Sequence, residues 1–102
     1  MYIWEIEELK FQTGKLFQFN RLKNKLSQLQ LGNELNLSSN HVGRIERGET
    51  NPTLEIIVKF CNFFEIDILY LFTKLSEKEL NDLSKEIERL QKEFKNQNKR
   101  KS

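Results

Sequence analysis

The chain has 102 residues, 37% of them hydrophobic and 31% charged, a balance that excludes a disordered polypeptide and fits one small domain with an appendage. Net charge is +2, too little by itself to argue for nucleic acid, and the single cysteine, Cys61, excludes an intramolecular disulfide. The N-terminus MYIWEIEELK is acidic and lacks a signal-peptide core, and runs such as Ile68–Phe72 are far too short to span a bilayer, so no membrane role and a cytoplasmic location are expected.

The distribution of charge says more than its total. Residues 13–52 carry Lys15, Arg21, Lys23, Lys25, Arg44 and Arg47 against Glu34, Glu46 and Glu49. Residues 1–12 and 53–75 are net negative, and 76–102 turn positive again through the closing KNQNKRKS. A core of this size is modest, so a partner or a second copy would help it.

In chain order, residues 1–12 read as an N-terminal extension. Tyr2, Trp4 and Ile6 alternate like a strand, while Ile6 and Leu9 also suit a helix turn. Thr13 is a candidate N-cap for a helix over 14–24, with Leu16, Phe17, Phe19, Leu22 and Leu26 on its apolar face. Ser27 caps a second helix from Gln28 to Leu35, which Asn36 ends, because asparagine tolerates the left-handed conformation. Ser38 caps a third helix that Gly48 closes. Asn51-Pro52-Thr53 opens a fourth, with Leu54, Ile57, Val58, Cys61 and Phe64 at helical spacing. A short fifth spans Ile68 to Phe72. Ser76-Glu77-Lys78-Glu79 is a capping box that starts a long helix over 76–95, before a basic tail at 96–102. The expected fold is all-α: a five-helix domain over 13–73 with an added C-terminal amphipathic helix.

The third helix carries the functional signal. Val42 and Ile45, with Leu37, point toward Leu31 and Leu35. The opposite face presents Ser39, Asn40, Gly43, Arg44 and Arg47. A helix held by a narrow apolar stripe, with a bare polar outer face, fits a DNA major groove, where Asn pairs with adenine edges and Arg with guanine edges. An ordinary solvated face has the same composition, so the arrangement of the neighbouring helices must decide.

The stretch "LSQLQLGNELNLSSNHVGRIERGETNPTLEIIVKFCNFFEIDILYLF" resembles the phage-repressor type helix-turn-helix family, also called the Xre or Cro/repressor family. The matching features are Ser27-Gln28, Gly32, Ser38, Ile45-Glu46-Arg47-Gly48, Asn51-Pro52-Thr53-Leu54 and Leu71-Phe72. The resemblance implies a repressor-like fold and double-stranded DNA as partner. It implies that Gln28 touches a phosphate, that Ser39, Asn40 and Arg44 read bases flanked by Ser38 and His41, and that Arg47 and Asn51 hold the DNA backbone. It also implies a structural ion pair between Arg21 and Glu46. Three positions depart from the pattern. Asn36 and Lys25 stand where glycine is common. Gly43 replaces a long polar reader, at roughly 1 kcal/mol relative to Ala in a helix interior. Either Gly43 lets the backbone approach DNA closely, or one base contact is lost. The modest positive charge predicts moderate affinity and a shallow salt dependence.

In the last helix Leu80, Leu83, Ile87, Leu90 and Phe94 fall at spacings of three, four, three and four. This seam suits first a coiled-coil homodimer, with folding back on the chain's own domain as the alternative. A dimer would place two recognition helices on a palindromic site. Catalysis finds no foothold. His41 and Cys61 are the only residues of their type, which excludes a zinc cluster, and the glycines at 14, 32, 43 and 48 form no phosphate-cradling loop. The expectation is therefore a non-enzymatic, cofactor-free transcriptional regulator, a repressor acting as a dimer. The alternative is a protein-interaction module, such as the antitoxin of a toxin–antitoxin pair.

Overall fold

Short polar side chains start five of the helices by accepting a backbone N–H that the helix itself leaves unpaired. Ser27 Oγ accepts from Gln30 at 3.0 Å, Ser38 Oγ from His41 at 3.1 Å, Thr53 Oγ1 from Ile56 at 3.2 Å, Asp67 Oδ1 from Leu69 at 2.8 Å and Ser76 Oγ from Glu79 at 3.1 Å. The computed structural model describes residues 4–100, and side chains over 4–97. The helices are α1 (Ile6–Lys23), α2 (Gln28–Leu35), α3 (Ser39–Glu46), α4 (Leu54–Phe64), α5 (Ile68–Phe72) and α6 (Glu77–Arg100), with no strand among the described residues. The chain is all-α.

One expectation is overturned at the start. Thr13 does not cap a helix; it is buried in the middle of α1, which begins at Ile6, where the Glu5 N–H donates to Glu8 Oε1 at 3.0 Å. Gly14 is small for a tertiary reason. A Cβ on Gly14 would lie 2.4 Å from the Ile45 carbonyl oxygen and 2.8 Å from that of Glu46, so α1 crosses the C-terminal end of α3 at backbone contact. Residues 6–12 therefore continue α1, and Trp4 sits beside the Lys74 ammonium, 5.5 Å from its ring centre. The proposed alternation also involved Tyr2, which lies outside the described residues. At the other end α6 runs on through Arg100 instead of ending near Lys95, and Lys101 and Ser102 lie outside the described residues.

Leu16, Phe17, Leu31, Leu35, Val42, Ile45, Ile57, Phe60 and Leu71 form the core, with Phe17 and Phe60 stacked at 3.9 Å between ring centres. Cys61 is buried with them, and burial pushes its thiol pKa up. A polar tie closes the domain. Buried Gln12 donates to the carbonyls of Leu71 (3.2 Å) and Thr73 (2.8 Å), and its Oε1 accepts from the Leu75 N–H at 2.9 Å. Gln12 thus pins the chain between α5 and α6 against α1.

Helix α6 runs alongside α1 in the same direction. Leu75 and Leu80 lie near Trp4 and Phe11, Ile87 near Lys15 and Gln18, and Leu90 and Phe94 near Leu22 and Lys25. The seam predicted for pairing faces α1: Ile87 is buried, Leu83 packs on the core, and Leu80, Leu90 and Phe94 are half-buried. Full burial contributes about 1.5–3 kcal/mol at Ile87, and the half-buried leucines add smaller amounts, together enough to hold the helix down. The periodicity identifies the stripe, and the single chain supplies its cover.

Candidate nucleic-acid interface

The turn between α2 and α3 sets the geometry. Asn36 adopts the left-handed conformation (φ 60°, ψ 46°), and the Leu37 N–H donates to the Gly32 carbonyl at 2.8 Å. Gly32 is required there, since a Cβ would lie 2.4 Å from the Leu37 carbonyl oxygen. Lys25 between α1 and α2 is also left-handed (φ 60°), which costs a non-glycine residue roughly 1–2 kcal/mol.

With Val42 and Ile45 buried, α3 turns its other face outward. Ser38, Asn40, Arg44 and Arg47 are exposed and Ser39 and His41 are half-buried. Asn40, Arg44 and Arg47 fall at i, i+4 and i+7, one stripe of amide and guanidinium donors. Asn51 is exposed in the loop before α4.

A buried ion pair fixes this stripe relative to α1. Arg21 Nε donates to Glu46 Oε2 at 2.6 Å and Nη2 to Oε1 at 3.0 Å, with side chains only 4% and 2% exposed. Arg21 Nη1 also donates to the Leu26 carbonyl at 2.9 Å, which ties down the α1–α2 connection. Gln28 joins the cluster, its Nε2 donating to Glu46 Oε1 at 3.1 Å. One carboxylate on α3 therefore orients side chains from both α1 and α2.

Gly43 is not an open gap. It is buried beneath two side chains: a Cβ there would lie 3.0 Å from Arg47 Nη1 and 3.3 Å from Gln28 Nε2. Any longer residue would displace them. Arg47 is held in turn by Glu49, Nε to Oε2 at 2.5 Å, and this hydrogen bond keeps the Glu49 carboxyl below its usual range. Glu49 escaped the sequence reading. Its signal was an acid two residues beyond Arg47, across the Gly48 turn (φ 72°).

Comparison with known families agrees with this geometry. The sequence pattern of a helix-turn-helix family matches residues 20–71, just over half of the chain. No curated protein matches. Arg21, Glu46, both caps and the whole α3 face lie inside the matched segment, and α6 lies outside it. The chain belongs to the Xre/Cro-type helix-turn-helix family of DNA-binding transcription regulators.

Proposed function

We propose that the protein is a repressor that binds a palindromic operator as a dimer and occludes a promoter. The observation that carries this reading is the exposed Asn40–Arg44–Arg47 stripe on α3, held rigidly from behind by the Arg21–Glu46 pair. Asn40 and Arg44, with Ser39, read base edges; Gln28, Arg47 and Asn51 hold phosphates; Ser38 and His41 flank the readers. Gly43 serves as the seat on which Gln28 and Arg47 rest, which keeps both close to the groove.

With the α6 seam turned toward α1, we assign the second copy to another surface. The exposed apolar side chains of α4 and α5, Leu54 (75% exposed), Val58 and Leu69 (66%), offer that surface. The same side chains favour a second reading, docking of a different protein as an antitoxin docks its toxin. Selection of duplex DNA from a random-sequence pool, at two salt concentrations, separates them. A recovered palindrome with half-sites about one helical turn apart, lost in the Asn40→Ala/Arg44→Ala variant, is the expected result. If that variant recovers the same sequences, the assignment of readers is wrong. If the wild-type protein recovers none, the partner-binding reading replaces the repressor.

A further inference from the structure

Helix α6 lies outside the family's matched segment, and its docking on α1 creates a feature that the helix-turn-helix alone lacks. A cleft of about 500 Å³ runs between the two helices, lined by Lys15, Gln18, Glu88, Gln91, Lys92 and Lys95. Three ammonium groups face one carboxylate. None of the three lysines takes part in an ion pair among the described residues, whereas Arg89, on the other flank of α6, is fully engaged by Glu86 and Glu93. Lys92 and Lys95, three residues apart, share one exposed flank of the helix. Lys92 and Lys95 thus lie on the cleft side of α6, opposite Lys15 of α1, whose ammonium sits 5.4 Å from the Phe11 ring centre.

The cleft does not end on bare surface. Gln18 and Gln91 also line the adjoining hollow, whose other walls are Arg21, Ser27, Gln28 and Phe94. The path from the lysines therefore leads directly to the N-terminal end of α2, where Gln28 meets the DNA backbone on the reading given above. Gln91 Oε1 is buried there with no donor among the described residues.

We propose that this cleft is a second DNA-backbone site, in which Lys15, Lys92 and Lys95 take phosphates outward from those held at Gln28, so that α6 lengthens the footprint of each half-site. The proposal rests on the DNA-binding reading of α3. It uses charge complementarity and continuity with that interface, and carries no sequence information of its own.

The test is the Lys92→Gln/Lys95→Gln variant of the full chain, compared with Lys59→Gln/Lys78→Gln, which removes the same charge far from the cleft. Both pairs of side chains lie at the surface, so circular dichroism and melting temperature should match wild type. For the cleft variant, which loses two lysines in each protomer of the dimer, the slope of log K against log salt should become shallower by about 3.6, from roughly 0.9 per lost phosphate contact. Affinity should fall by the same factor on the selected operator and on random duplex, with the selected motif unchanged. Trimming base pairs outside the operator should weaken wild type more than the cleft variant, which keeps only Lys15 there. An unchanged slope, or an equal change in the Lys59/Lys78 control, overturns the proposal while leaving the α3 reading intact. Failure of the wild-type protein to select any motif overturns the α3 reading, and the cleft with it.

Discussion

Replacing Glu46 with alanine should cost far more than a surface ion pair. The carboxylate is 2% exposed and accepts from Arg21 Nε, Arg21 Nη2 and Gln28 Nε2. Without it the Arg21 guanidinium stays buried with only the Leu26 carbonyl as partner. Removing one member of such a pair costs about 3–5 kcal/mol, a large part of the 5–15 kcal/mol that typically stabilises a domain. Urea unfolding, followed by circular dichroism, should show the midpoint falling by about 2 M, taking a typical m-value of about 1–3 kcal/mol/M. Replacing both partners, Arg21→Met with Glu46→Leu, removes the stranded charge and should return stability to within about 1 kcal/mol of wild type. DNA binding should not return with it. Gln28 has lost its anchor in both variants, and freezing a free glutamine side chain costs up to about 2 kcal/mol, or up to about thirtyfold in affinity. A Glu46→Ala penalty below 1 kcal/mol, or a double variant no more stable than Glu46→Ala, would refute this account of the pair. Full recovery of DNA affinity in the double variant would refute the anchoring of Gln28.

Gly14→Ala should destabilise the fold by about 3 kcal/mol, because the added methyl meets backbone carbonyls of Ile45 and Glu46 that cannot rotate away; thermal melts measure it, and a neutral or stabilising effect would show that α1 and α3 separate easily. Gln12→Ala should cost about 2–3 kcal/mol, since three backbone groups at Leu71, Thr73 and Leu75 lose their partner. Amide exchange at Leu75 should quicken in that variant, and an unchanged Leu75 rate would mean that Gln12 is not what pins this connection.

The helix-turn-helix is legible in the sequence because its signals are local. Ser27 and Ser38 cap the helix that follows within three residues, and Asn36 ends α2 by its own backbone preference. The start of α1 is not legible for the converse reason. Gln12, Thr13 and Gly14 imitate a helix boundary, yet two of the three are chosen by a partner thirty or more residues away: the α5–α6 connection for Gln12, the end of α3 for Gly14. The seam of α6 lies between these cases. Periodicity marks Leu80 to Phe94 as a stripe in search of cover, but says nothing about whether that cover is a second chain or α1. The α3 face shows the same division. Asn40 and Arg44 are visible as outward polar positions, whereas the covering of Gly43 depends on where Gln28 and Arg47 come to rest.

On the proposed reading, in which Arg47 holds a phosphate, the Arg47–Glu49 pair gives one cation of that surface its own counterion built into the chain. When the guanidinium turns to a phosphate, it exchanges one anion for another, and the released carboxylate is left beside a dense row of negative charge. Glu49 then holds a mobile cation or a proton that a neutral neighbour would not, so engagement at Arg47 returns to the DNA surface part of the salt that binding expels. The grip tightens as pH falls toward the carboxylate range, and the free protein meets non-cognate DNA with one fewer unguarded positive charge.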